Sequence, residues 1–160
     1  MRGLCLFVPC VALVCAACGP KPSSASPPVA AHEVLERFDR FLHASLSEQA
    51  RLADELERLG SSAAPYLEVR LRSTSDFGEH TAALMILQRL NARRRPGDFS
   101  EAQVREYLAW LQDGDVVVRT YAMESLIQAG RGFRPLVETA AAHADPVVRE
   151  KLAIVLREMR

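Results

Sequence analysis

Two stretches of the sequence, thirty residues apart, follow one pattern: D-V-V-V-R-T-Y-A-M-E-S-L (115–126) and D-P-V-V-R-E-K-L-A-I-V-L (145–156). In each stretch an arginine follows the aspartate by four positions, and a leucine follows the arginine by seven. An aspartate before an apolar run is a typical helix N-cap, and this leucine spacing fits one buried helix face. The pattern therefore predicts one helix repeated along the chain.

Two further copies precede these. One begins at Asp76, with His80 in the arginine position, and a weaker one contains Leu52 and Leu56. An apolar stripe at helical spacing precedes each copy, at about 33–42, 65–71, 100–111 and 135–143, and predicts a partner helix. Ser45 and Ser100 begin helices with capping-box spacing, and Gly-to-Pro links at 60–65 and 130–135 separate the pairs. A single helix pair cannot bury its apolar face, so the copies are expected to stack.

The shared pattern D-x-V-V-R-x-x-A-x-x-x-L-x-x-x-G resembles the HEAT repeat and its short bacterial form, over roughly residues 46–160. The resemblance implies an all-α fold, a short α-solenoid of antiparallel helix pairs, after a disordered N-terminal tether. In that family the aspartate and the arginine tend to form a ladder between neighbouring repeats. By this analogy, cap and ladder roles are expected for Asp76, Asp115, Arg119, Asp145 and Arg149.

The N-terminus has the order of a secretory signal: Arg2, a short apolar run, then small residues. Ala16-Ala17-Cys18 resembles the lipobox of bacterial lipoproteins, which implies a signal peptide at 1–17 and lipidation of Cys18; cleavage to a soluble secreted protein is the alternative. The Pro- and Ser-rich residues 18–31 are expected to be a linker, and residues 32–160 the helical repeat domain. This order predicts an exported protein, lipid-anchored in the cell envelope. Gly19 resembles the pattern for the outer membrane facing the periplasm.

Composition and motifs argue against several classes of function. The 160 residues carry a formal net charge of +0, which does not favour nucleic-acid binding. All cysteines lie at or before Cys18, so a disulfide framework or thiolate zinc site is not expected in the helical region. No two histidines lie three or four positions apart, and no phosphate loop or nucleophile elbow occurs. We therefore expect no catalytic residue, metal or cofactor.

Arg93-Arg94-Arg95 is the one concentrated charge in the sequence. It is either an anion contact, for a phospholipid headgroup, acidic glycan or acidic protein, or a solvated loop that caps the preceding helix. Residues 61–97 carry six arginines against three acids, whereas residues 32–60 carry four arginines against seven acids. Among those acids, Asp54, Glu55 and Glu57 are expected on a solvated helix face.

Several apolar side chains fall outside this scheme. Trp110 and Tyr121 lie off the apolar stripes of their helices, so they either line a binding face or are buried against neighbouring helices. The last helix is apolar nearly all round, with 152–156 and Met159. That pattern predicts an exposed apolar edge, covered by a partner or by a second copy of the chain.

Together these features predict a non-catalytic, envelope-anchored HEAT-repeat lipoprotein that acts as a scaffold or adaptor. The expected partner is another envelope protein, with the membrane contacted through Cys18 and self-association at the last helix. One alternative is a bilin-lyase-like enzyme or chromophore-binding protein, since short HEAT-like repeats also occur in bilin lyases. The other is a binder of anionic envelope polymers through Arg93 to Arg95.

Overall fold

The computed structural model describes residues 30–159, which form α-helices joined by short links, with no strand among them. The helices are α1 (Ala31–His43), α2 (Leu46–Arg58), α3 (Ala64–Ser73), α4 (Phe77–Arg93), α5 (Glu101–Trp110), α6 (Val116–Ala129), α7 (Arg134–His143) and α8 (Pro146–Glu158). Consecutive helices pack as four pairs, and the second helices α2, α4, α6 and α8 pack on one another in succession. The predicted all-α solenoid of helix pairs is therefore confirmed.

Aspartate side chains begin three of the second helices. Asp76, Asp115 and Asp145 each accept hydrogen bonds from backbone N–H groups of the first turn, at 2.6 to 3.0 Å. These N–H groups have no partner within the helix, so the caps satisfy donors that would otherwise depend on water. The Ser100 hydroxyl likewise accepts from the backbone N–H of Gln103, and the backbone N–H of Ser100 donates to Oε1 of Gln103.

The capping box predicted at Ser45 and Glu48 is wrong. The Ser45 side chain makes no cap hydrogen bond, and its hydroxyl lies 3.3 Å from the hydroxyl of Ser47. Glu48 instead lies 3.4 Å from the guanidinium of Arg51, one helical turn further on. Both side chains therefore have other local partners, and α2 begins without a side-chain cap.

Two of the links between pairs share one construction. Gly60 and Gly130 have φ values of 71° and 79°, which favour glycine because a Cβ is strained there. A short 3₁₀ turn begins at Gly60 and another directly after Gly130, and Pro65 or Pro135 then lies in the first turn of α3 or α7. The glycine ends one pair, and the proline favours the start of the next.

A continuous hydrophobic core runs through the stack. Its largest fully buried apolar side chains come from the first three pairs: Phe38, Leu52, Leu56, Leu67, Leu71, Ile86, Leu87, Leu90, Tyr107, Leu111, Tyr121 and Leu126. Burying one such aliphatic or phenyl side chain contributes about 1.5–3 kcal/mol. The core therefore lies between the helices of each pair and between successive pairs, as stacking requires.

The apolar edge predicted for the last helix is only partly present, since Ala153 and Ile154 are exposed and Leu156 is half-buried, whereas the other apolar residues of the predicted edge are buried. Leu152, Val155 and Met159 are buried, because α8 packs on α7 with one face and on α6 with another. Ile154 is the large aliphatic residue of α8 that remains exposed beyond its first turn, at 37 %. The helix is apolar nearly all round because it has two neighbours within its own chain.

The cap of α8 yields a stability prediction. Asp145→Ala should lower the free energy of unfolding by about 1 kcal/mol, since it leaves the N–H groups of Val147 and Val148 without their acceptor. Asp145→Asn keeps an oxygen acceptor and should remain close to the parent chain. Urea denaturation followed by helical circular dichroism measures both. An equal loss in the two variants would contradict the capping role.

Candidate functional site

The arginine run 93–95 does not form one patch. Arg94 is only 4 % exposed and its side chain lies in the core, whereas Arg93 and Arg95 are exposed. Arg93 forms an ion pair with Glu57 of α2. The predicted anion contact through three adjacent arginines therefore lacks its middle residue, and one of the other two already has a carboxylate partner.

Glu57, expected on a solvated face, is buried and pairs with both Arg89 and Arg93 of α4. That expectation is wrong because α4 packs on α2 and covers this part of it. A buried carboxylate is costly unless it is paired, and here two guanidiniums supply the pairing.

Further ion pairs join the first helix pair to the second. Asp39 lies 2.8 Å from a guanidinium nitrogen of Arg70, and Asp54 lies 2.7 Å from one of Arg89. These contacts, with those of Glu57, explain the charge imbalance seen in the sequence. The excess acids of residues 32–60 face the excess arginines of residues 61–97 across the interface between the two pairs.

The ladder roles expected for Arg119 and Arg149 need correction. Arg119 donates to the carbonyl oxygens of residues 113 and 114, at 2.7 and 2.9 Å, and Arg149 donates to that of Ala144 at 2.9 Å. Each arginine thus satisfies carbonyls of the turn before its own helix. The contact between neighbouring repeats is made instead by His80, whose Nδ1 lies 3.5 Å from Oδ2 of Asp115.

A buried carboxylate joins three helices at the centre of the stack. Glu68 of α3 is 6 % exposed, and its Oε1 accepts hydrogen bonds from the hydroxyls of Tyr107 (2.7 Å) on α5 and Tyr121 (2.8 Å) on α6. The two tyrosine rings meet edge to face, with centroids 6.0 Å apart. One oxygen atom therefore fixes the second helix pair against the third.

Arg94 extends this network. Its Nη1 donates to the Tyr107 hydroxyl at 3.2 Å and to Oδ1 of Asn91 at 3.3 Å. Asn91 in turn donates to the Ser125 hydroxyl of α6 at 2.8 Å. The opposite charges of Arg94 and Glu68 are thus connected through one shared hydroxyl, and the network connects α3, α4, α5 and α6.

The environment of the two tyrosines changes their acidity. Burial raises the pKa of Tyr107 to about 12, and the nearby charge of Glu68 adds to the effect. Burial, with the same carboxylate second, also raises the pKa of Tyr121 well above its ordinary value of 10.0. Both hydroxyls therefore stay protonated at neutral pH and serve as hydrogen-bond donors to Glu68.

Sequence reasoning missed Glu68, although a signal was present. Glu68 follows Ala64 by four positions and precedes Leu71 by three, so it lies on the buried stripe of α3. A charged residue on an apolar stripe needs a buried partner. Trp110 and Tyr121, for which two interpretations were open, are both buried in this region, and their ring centroids lie 6.2 Å apart.

A cleft of about 370 Å³ lies beside this network, between α3 and α5. The cleft accompanies an asymmetry of the stack: α4 and α6 are closely packed, while α3 and α5 are not. The guanidinium carbon of Arg72 lies 5.0 Å from the ring centroid of Trp110. The residues that line the cleft include Glu68, Val69, Arg72, Ser73, Glu106 and Trp110. The cleft thus combines carboxylates, one cation and an indole ring.

Exposed apolar side chains recur at the start of every second helix. Leu46, Phe77, Val116 and Val147 are 86, 81, 62 and 63 % exposed, and each lies in the first turn after the helix N-cap. Because the second helices pack in succession, with axes about 8–10 Å apart, the four side chains lie along one edge of the stack. We call these four residues the apolar row. No sequence expectation included it.

Comparison with protein-family profiles, curated proteins and solved structures finds no match for this chain. Within residues 30–159, no three histidine, cysteine or acidic side chains are placed so that they could hold a metal ion. None of the helices in that range has both the length and the apolar character needed to cross a bilayer. Cys18 lies outside the described residues. The fold thus defines the class, an all-α stack of helix pairs.

The tyrosine network makes the protein sensitive to alkali. Tyr107 binds its proton more tightly in the folded chain, with a pKa of about 12 against 10.0. Its contribution to stability is therefore complete below pH 10 and is lost as the pH rises towards 12. We expect tyrosinate absorbance at 295 nm from Tyr107 and Tyr121 to appear together with the loss of helical circular dichroism.

The control is the same titration in concentrated guanidinium chloride, where all three tyrosines of the chain should ionise near pH 10 without a cooperative step. Ionisation of all three tyrosines near pH 10 while the protein remains fully helical would contradict the buried network.

Proposed function

We propose that this protein is a lipid-anchored, non-catalytic adaptor of the bacterial cell envelope, built from HEAT-like repeats, which holds another envelope protein. The apolar row is the observation that carries the proposal. Single exposed apolar side chains are common on protein surfaces and need no explanation. An exposed apolar residue in the first turn of four consecutive second helices is a repeated feature, and repeat proteins use such features for binding along the stack. Leu46, Phe77 and Val116 are the first residues of their helices, and Val147 is the second residue of α8 because Pro146 is the first.

The energy available at the row is sufficient for a specific contact. Full burial of four large apolar side chains yields on the order of 1.5–3 kcal/mol each. Part of this gain is offset by the cost of association, which is at least several kcal/mol. The row alone thus supports a moderate, reversible affinity, as expected of an adaptor.

The spacing of the row favours an α-helix as the partner element. Neighbouring second helices lie about 8–10 Å apart, and two turns of an α-helix rise by about 10.8 Å. A partner helix with an apolar residue about every seven positions therefore presents one side chain to each pair. We propose an amphipathic helix of an envelope protein as the occupant of the apolar row.

The position of the N-terminus is compatible with an anchor. The described chain enters at Ala30 and runs through α1 towards the turn before α2, where the apolar row begins. α1 has 13 residues, a length of about 20 Å. Ala30, where the described chain begins, and the apolar row therefore lie at opposite edges of the stack. The lipobox-like Cys18 and the Pro- and Ser-rich segment after it support lipid attachment on the tether side.

Site-specific photocrosslinking in intact cells tests the adaptor function. A photoreactive phenylalanine analogue placed at Phe77 or at Val116 should capture the same protein, because both positions belong to the apolar row. The analogue at Ser61, which is exposed in a link at the opposite edge, is the matched control and should capture none.

A second substitution makes that result specific. Val147→Asp places a charge in the row and should reduce the crosslink from Phe77, while the exposed Arg131→Gln should leave it unchanged. Different captured proteins from Phe77 and Val116, or equal capture from Ser61, would count against the proposal.

Metabolic labelling tests the anchor separately. Cells fed with tritiated palmitate should label the parent chain, and the protein should stay with the membrane fraction because acyl chains partition into lipid. Cys18→Ser should abolish the label, whereas Cys15→Ser should keep it. An unlabelled parent chain recovered in the soluble fraction would contradict lipid anchoring without affecting the adaptor test.

A further inference from the structure

We infer that the cleft between α3 and α5 binds an alkylammonium or alkylguanidinium group, the chemistry of a lysine or arginine side chain or of a small amine. This cleft is separate from the apolar row, because it lies between the first helices of two pairs and the row lies on the second helices. It is therefore independent of whether the row binds a partner.

The charge of the cleft favours a cation. Glu68 and Glu106 both line it, and neither belongs to an ion pair among residues 30–159. Glu68 is more than nine-tenths buried, so solvent screens its charge weakly. Arg72 is the single guanidinium in the lining. The lining thus holds two carboxylates and one guanidinium, while the guanidinium of Arg94 lies outside the lining and is connected to Glu68 through the Tyr107 hydroxyl.

Trp110 forms part of the wall of the cleft. The face of an indole ring attracts cations through its quadrupole. Arg72 of the chain itself already lies over this ring, at 5.0 Å from the centroid. The indole N–H is also buried without a hydrogen-bond partner among the described residues. An unsatisfied buried donor is uncommon in native proteins, and a peptide ligand, unlike a free amine, would bring a carbonyl acceptor for it.

The rim and the size of the cleft indicate how the ligand lies. Val69 is 67 % exposed on the rim, and a volume of about 370 Å³ suits one long side chain or a small molecule. Lysine and arginine place their alkyl stems on apolar surface while the charged head finds polar partners. The stem would therefore lie on Val69 and the head between Glu68 and Glu106.

Trp110 is the only tryptophan of the chain, so its fluorescence reports on this cleft directly. The purified full chain is titrated with agmatine, a free alkylguanidinium, and with the tripeptide acetyl-Gly-Arg-Gly-amide. Both should give a saturable change, and acetyl-Gly-Glu-Gly-amide should give none. Tighter binding of the tripeptide assigns the site to a protein side chain, and equal or tighter binding of agmatine assigns it to a free amine.

Matched variants on α5 complete the test. Glu106→Gln removes a lining carboxylate and should weaken binding about fivefold, the scale of one partly exposed charge pair. Glu101→Gln on the same helix alters an exposed residue paired with Arg105 and should bind as the parent chain does. The inference is overturned if neither probe gives a saturable change, if the glutamate tripeptide binds equally, or if Glu106→Gln binds like the parent.

Discussion

The carboxylate of Glu68 is the contact on which the middle of the stack depends. Leucine side chains between helices give energy but little direction, because dispersion and hydrophobic burial tolerate sliding. Hydrogen bonds from Tyr107 and Tyr121 to a single oxygen tolerate far less displacement. This network therefore specifies how the second pair sits on the third. Losing the carboxylate would leave two buried hydroxyl protons without their acceptor, which is costlier than never having buried the hydroxyls.

The three interfaces between pairs are built differently. Ion pairs such as Asp54 with Arg89 support the first, the Glu68 network supports the second, and largely apolar contacts between α6 and α8 support the third. Each helix pair therefore has a specific neighbour, although the pairs share one backbone plan.

The features that could be predicted from the sequence are those that depend on residues close together in the chain. The aspartate caps, the links at Gly60 and Gly130 and the pairing of helices all arise within a few positions of chain. The candidate site was not predicted, because Glu68 meets its partners 39 and 53 residues away. The prediction of an anion contact through Arg93 to Arg95 was wrong for the same reason. Three adjacent arginines look alike in sequence, yet the fold buries only the middle one, Arg94. The capping box predicted at Ser45 was wrong because of a local contact, since the Ser45 hydroxyl lies against that of Ser47.

The separation of α3 from α5, beside the close packing of α4 on α6, leaves the second joint of the stack open on one side. Bending towards that side would press Arg72 against Trp110, and bending away would be resisted by the hydrogen bonds of Glu68. An occupant of the cleft would act as a wedge that stiffens the joint. The same few side chains would therefore determine both the binding of a ligand in the cleft and the stiffness of this joint.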